Sequence, residues 1–150
     1  MSPTPRAAAI AALIAIATPL IGPVPAIAGV ALLVGLSLID ALRVRDAPEV
    51  VRSAPDRLSR GVPAAFEVVV RSRRSFRVRQ PAPADVRFLP QEANEHLRGT
   101  VTASRRGRHR LTRPVVRLTG PLGLGAWTHR AGGESEVLVY PDLLTARRIA

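Results

Sequence analysis

The sequence predicts an all-β domain, an immunoglobulin-like β-sandwich, carried behind an N-terminal transmembrane α-helical hairpin. Three observations lead there. Residues 7 to 39 contain no charged side chain, although 21 of the 22 basic and 10 of the 11 acidic residues lie from Arg43 onward. Beyond residue 45 apolar and polar residues alternate in short runs, the period of a half-buried strand. Clusters of Pro, Gly, Ser or Arg separate those runs, as in a small sandwich. On this reading residues 1–45 are the hairpin and 46–141 the sandwich. Residues 142–150 are a C-terminal tail or the start of a following domain.

From Ala7 to Leu42 the one charged residue is Asp40. As a single helix this stretch would be ~54 Å long, against a hydrocarbon core of ~30 Å. Its middle, Thr18-Pro19-Leu20-Ile21-Gly22-Pro23-Val24-Pro25, holds three prolines and a glycine, so a tight reversal joins two helices over about residues 6–20 and 25–42. The first is short for a span and must recruit turn residues or thin the bilayer. Neither segment has a polar face, which argues against a soluble helical pair. A secretory signal peptide is the rival reading, because Arg6 precedes an apolar run and Ala26-Ile27-Ala28 has the small-x-small form of a cleavage site. Cleavage there leaves the uncharged stretch from Gly29 to Ile39 to be buried elsewhere. Arg6 precedes the first helix, Arg43, Arg45 and Arg52 follow the second, and the turn is uncharged, so both ends are expected on the cytoplasmic side. Asp40 is expected at the interface beside Arg43 rather than as a functional intramembrane acid.

In the soluble part, Phe66, Val68 and Val70 share one face of a strand over residues 64–71. Similar stretches at 49–52, 76–79, 86–89, 97–104, 109–118 and 136–140 complete about seven strands. Residues 91–97 are expected to form a single helical turn and 142–149 a short terminal one. The expected core is Phe66, Val68, Val70, Val86, Phe88, Leu97, Val101, Val116, Leu118, Val137 and Val139, a modest set for a domain of this size. With no cysteine, neither disulfides nor thiolate zinc can reinforce it.

The formal net charge is +11, and every basic residue is arginine. Arginine-only usage beside abundant Ala, Pro and Gly fits a compositional bias as well as a ligand, and with aromatics at 3% there are too few stacking platforms for nucleic acid, which ranks last. His96, His109 and His129 stand far apart with no cysteine nearby, so no metal site is expected. Glu92, Glu95 and His96 read as a solvated loop rather than an acid–base pair. No Gly-x-Ser-x-Gly elbow and no phosphate-binding glycine loop occurs, so no catalytic residue, cofactor or enzymatic activity is expected. The basic stretch Arg71, Arg73, Arg74, Arg77 and Arg79, with Arg105, Arg108 and Arg110, is a candidate surface for anionic lipid headgroups or an acidic partner. Plainly solvated turns are the competing account of the same residues.

Three motifs follow in order. Arg105-Arg106-Gly107-Arg108-His109-Arg110-Leu111 reads as a strand-to-strand turn with Gly107 supplying a positive φ. Pro121-Leu122-Gly123-Leu124 fits a type I turn over residues 120–123 that returns Leu122 or Leu124 to the core. Val137-Leu138-Val139-Tyr140-Pro141 ends a last strand, since proline cannot donate to a ladder. Behind a two-helix anchor, this order resembles the bacterial membrane proteins of the family called domain of unknown function 58. Their members carry an Arg-Arg-Gly-Arg turn, an Asp-Pro-Leu-Gly-Leu loop and a Val-Tyr-Pro strand end in these places. The resemblance covers the whole chain and marks Arg106, Gly107, Arg108, Leu111, Pro121, Leu122, Gly123, Leu124, Tyr140 and Pro141 as signature positions. It implies a non-catalytic module of the bacterial inner membrane that works with a MoxR-type AAA+ ATPase. It departs in three respects. Gly120 stands where the family has Asp, which predicts a looser loop. Gly125 replaces an aromatic, with Trp127 two positions on, and where the family usually continues into a von Willebrand factor A-like domain this sequence stops at Ala150, as expected of a truncated gene product, a fragment or a minimal relative.

Overall fold

The computed structural model describes residues 1–141, so the expected tail and terminal helix over 142–150 lie outside the described residues. In chain order the elements are β1 (Ser2–Pro3), α1 (Pro5–Ile21), α2 (Pro23–Leu42), β2 (Glu49–Ser53), β3 (Arg57–Ser59), β4 (Ala64–Arg71), β5 (Phe76–Arg79), β6 (Val86–Leu89), β7 (Glu92–Ala93), β8 (Leu97–Ala103), β9 (Gly107–Leu111), β10 (Val115–Thr119), β11 (Gly125–Arg130) and β12 (Ser135–Tyr140). After the two helices the described chain is all β. It folds as two compact units. The first joins Met1–Ala47 to Arg73–Phe76 and Arg117–His129, and the second comprises Pro48–Ser72, Arg77–Val116 and, of the described residues, 130–141. The hairpin therefore shares its unit with two later segments that the expected boundary at residue 45 had assigned to the sandwich.

In the first unit, Thr4 caps α1. Its backbone is extended and its hydroxyl accepts from the Ala7 N–H at 3.4 Å, while Pro5 occupies the first helical position, where no N–H is needed. Pro19 lies inside α1 without ending it, and the reversal is tighter than expected because Gly22 alone, at φ +86°, separates the helices. Pro23 and Pro25 then fall in the first turn of α2, where their missing donors leave no hydrogen bond unmade. The helices pack through small residues, since a Cβ on Gly29 would lie 3.5 Å from Cδ1 of Ile14. Ala7, Leu33 and Leu124 form the buried cluster at their open end, with Ala11 and Ile14 against it. β1 pairs antiparallel with the start of β11 (Ser2↔Ala126, Pro3↔Gly125), and β10 runs beside β11.

The second unit contains two further sheets. One is antiparallel in the order β2-β4-β8-β6, with Val68 opposite Leu97 and Phe88 opposite Val101. The other runs β3-β12-β9, parallel between β12 and β3 and antiparallel between β12 and β9. Alternation works as the sequence suggests: β4 buries Phe66, Val68 and Val70, and β12 buries Val137 and Val139. Every expected core residue is buried, Leu118 in the first unit and the rest in the second. Phe66 and Phe88 pack with ring centroids 4.6 Å apart at 46°.

Several elements differ from expectation. The turn expected over 91–97 is the short strand β7, which pairs with β5 (Val78↔Ala93) before β8 begins at Leu97. The expected strand over 109–118 is two strands, because Thr112-Arg113-Pro114 interrupts it and Pro114 has no N–H to donate. β3 and β11 were not expected at all.

Candidate functional site

At the open end of the hairpin, within the first unit, the last turn of α2 meets the loop between β10 and β11. The loop is the turn the sequence suggests: Gly123 N–H donates to the Gly120 carbonyl at 3.0 Å, and Leu124 rather than Leu122 returns to the core. What holds it is Asp40. Its side chain is 0% exposed, and its carboxylate accepts from Leu122 N–H at 2.9 Å, Leu124 N–H at 2.8 Å and Gly125 N–H at 3.0 Å. An ionised carboxylate taking several backbone donors is among the stronger polar arrangements available to a protein. The Thr4 hydroxyl completes the latch by bonding the Gly123 carbonyl, and Thr4 N–H donates to Leu124 O at 3.1 Å. Helix entry and helix exit thus grip one loop.

Two glycines of this loop acquire a reason here. A Cβ on Gly120 would fall inside the carboxyl group of Asp40, and one on Gly125 would overlap the Ser37 carbonyl and lie 2.6 Å from Ala41 N. Glycine at both places lets α2 approach the loop directly. The loop that carries Gly120 is held by Asp40 from the helix, through the N–H groups of Leu122, Leu124 and Gly125. Asp40, expected beside Arg43, has the charge of Arg43 acting on it and is buried in the latch.

Around this end stand Arg6, Arg43, Arg45 and Arg117, all exposed. Arg6 lies across Gly123, Arg117 reaches the Pro3 carbonyl at 3.4 Å, and Arg45 approaches Asp46 at 3.8 Å with both groups largely in solvent. His129 is buried and its Nε2 donates to the Val44 carbonyl at 2.9 Å. Trp127 stacks on that ring at 6.5 Å.

A second polar cluster lies in the second unit. Arg52 of β2 donates to the carbonyls of Thr112 at 2.8 Å and Gly133 at 2.9 Å, to Ser135 Oγ at 2.7 Å and to Gln80 Oε1 at 3.4 Å. Gln80 is itself fully buried and donates to Thr112 O at 3.0 Å. Burial pushes the Arg52 guanidinium below its ordinary pKa, and the charge of Glu134 acts in the other direction. Its donors go to structural acceptors, so Arg52 ties β2 to two loops. An open cavity of about 560 Å³ along the edge strand β6 includes Asp85 in its lining, but that carboxylate faces Arg105 at 3.9 Å.

The signature positions fall as follows. Gly107 opens β9 at φ +123°, Arg106 and Arg108 are exposed beside it, and Leu111 is buried at the strand's end. Tyr140 ends β12, Pro141 lies beyond it, and the Tyr140 carbonyl accepts from Arg60 N–H at 2.9 Å. Of the candidate basic residues, Arg71 pairs with Glu49 at 3.2 Å, Arg108 with Glu136 at 3.9 Å and Arg110 with Glu134 at 2.6 Å, while Arg77 bonds Asn94 at 2.9 Å. Arg71 belongs to the sheet of β4 and Arg108 and Arg110 to the sheet of β9; Arg73 and Arg74 belong to the first unit, and Arg79 to the second. His96 Nδ1 accepts from Val70 N–H at 3.4 Å and His109 Nε2 donates to Arg105 O at 2.9 Å.

Sequence reasoning missed the latch because its acid and its donors are more than eighty positions apart and the donors are backbone groups. An acid in the last turn of an otherwise uncharged helix was the one available signal.

No protein-family model matches the chain, and no curated protein does. Among solved structures it is similar to the SrpA adhesin of Streptococcus sanguinis, crystallised as a point mutant, at 10% identity and a TM-score of 0.37. That alignment covers 67% of this chain and 62% of the adhesin chain, a likeness too slight to carry an argument.

Proposed function

We propose that the chain is a membrane-anchored, non-catalytic interaction module: a helical hairpin inserted in the bilayer, with an immunoglobulin-like β-sandwich held beside the cytoplasmic leaflet. The observation that carries this reading is the hairpin's surface. Leu13, Ile16, Leu20, Val24, Ile27, Leu32 and Val34 are all exposed, Ile16 at 74% and Leu20 at 90%. An apolar surface that continuous is costly in water and favourable in lipid. α2 is long and apolar enough to cross a membrane, its twenty residues matching a ~30 Å hydrocarbon core, and α1 is a shorter apolar helix of seventeen. The motif order of the β region favours a MoxR-type AAA+ ATPase as the partner and the bacterial inner membrane as the location.

Alkaline carbonate extraction of membranes, followed by mass measurement of the recovered chain, tests the anchor. The reading requires the chain to stay in the pellet with its first residues intact. Recovery in the supernatant, or a mature chain beginning near Gly29, favours instead a signal-peptide-bearing periplasmic or secreted binding protein.

A further inference from the structure

We infer that the open end of the hairpin is a binding site for the phosphate of anionic lipid headgroups, formed by Arg6, Arg43 and Arg117 of the first unit. The inference rests on the membrane-anchored reading and names the lipid partner of that anchor.

The argument starts from charge. The first unit holds six arginines, Arg6, Arg43, Arg45, Arg73, Arg74 and Arg117, and two acids, Asp40 and Asp46. Asp40 is enclosed by three backbone N–H groups, and Asp46 is solvent-exposed at 3.8 Å from Arg45. Among the described residues, Arg6, Arg43 and Arg117 form no ion pair with an acid, in contrast to the arginines of β4 and β9. Of the basic residues that sequence singled out, Arg71, Arg105, Arg108 and Arg110 thus pair with acids, whereas Arg6, Arg43 and Arg117 at the hairpin's mouth do not.

Position selects the ligand. Arg43 directly follows the last residue of α2, and Arg6 lies in the first turn of α1. With α1 and α2 in the hydrocarbon, both guanidiniums come to rest at headgroup depth, where their donors match phosphate oxygens in pairs. Arg6 lies over the latched loop at Gly123 and Arg117 donates to the Pro3 carbonyl at 3.4 Å, which places both beside this end of the hairpin. Trp127, half-buried and stacked on His129, which bonds the carbonyl between Arg43 and Arg45, supplies an aromatic of the kind that sits at this depth.

Trp127 is the chain's one tryptophan, which makes it the reporter. The full chain is reconstituted into phosphatidylcholine vesicles containing a minor share of phosphatidylglycerol, with bromine near the glycerol end of the chains of one lipid or the other. Expected is quenching by brominated phosphatidylglycerol equivalent to about fivefold enrichment over its bulk share, declining as salt is raised. Arg6→Gln combined with Arg43→Gln should abolish the enrichment, and Arg57→Gln, in the second unit, should keep it. Equal quenching by the two lipids at low salt overturns the inference while leaving the anchor standing, and the salt series on the unaltered chain decides this even if the double variant inserts poorly. Loss of enrichment in inorganic phosphate but not in chloride of equal ionic strength assigns the site to free phosphate and also overturns it. Absence of quenching by either lipid, with release of the chain at alkaline pH, removes the anchor and the inference together.

Discussion

A buried carboxylate that accepts three backbone N–H groups fixes a loop firmly, because each donor left unpaired costs about 1–3 kcal/mol. Asp40 does this for Leu122, Leu124 and Gly125. Asp40→Ala should lower stability by roughly 3 kcal/mol or more, read from denaturant unfolding in detergent micelles, whereas Asp46→Ala should stay within about 0.5 kcal/mol. Gly125→Ala should be worse tolerated than Gly133→Ala, since a methyl at 125 collides with the backbone of α2 and one at 133 meets open space; thermal midpoints of the two variants check this. Arg52→Lys should not rescue the loss caused by Arg52→Ala, because one ammonium cannot reach acceptors spread over Thr112, Gly133 and Ser135 as a planar fork does. Near-wild-type unfolding of the lysine variant would contradict that account.

Elements were legible wherever apolar side chains alternate over four or more residues. β4, β6 and β12 declare themselves through Phe66, Val86 and Val137 and their neighbours two positions on, and β8 through Leu97 and Val101. β3 and β7 are three and two residues long, too short to carry a period. β11 hides for another reason: it buries Gly125 and Ala126 consecutively, small residues chosen by the approach of α2 rather than by the pleat. In the reversal only the turn length differs, since Gly22 alone separates the helices and Pro19 lies within α1, as in the expected helix over about residues 6–20. Where alternation is clear the packing should respond in the usual measure, with Phe66→Ala costing about 3–5 kcal/mol of unfolding free energy in the full chain. In the hairpin the relevant scale is insertion. Leu13→Arg places a charge near the middle of α1 at a cost of about 2.5–3.5 kcal/mol and should reduce the carbonate-resistant fraction, while Leu122→Arg, in the loop outside the helices, should not.

For the whole chain, the split of charge between residues 7–39 and the remainder was the most readable feature, and it bears on function more than any motif. The latch shows why the rest was less readable: it joins the hairpin's last turn to a loop far along the chain, through backbone donors that carry no residue-type signal. The central claim is that the hairpin crosses the bilayer and returns, leaving the β domain on the side from which it entered. Because the chain has no cysteine, single cysteines report each side separately. Val24→Cys at the hairpin tip should react with a membrane-impermeant maleimide added to cells with a permeabilised outer membrane, and Ser53→Cys in β2 should react only after the inner membrane is lysed. Labelling of Ser53→Cys in unlysed cells, or labelling of both positions solely after lysis, would contradict the account.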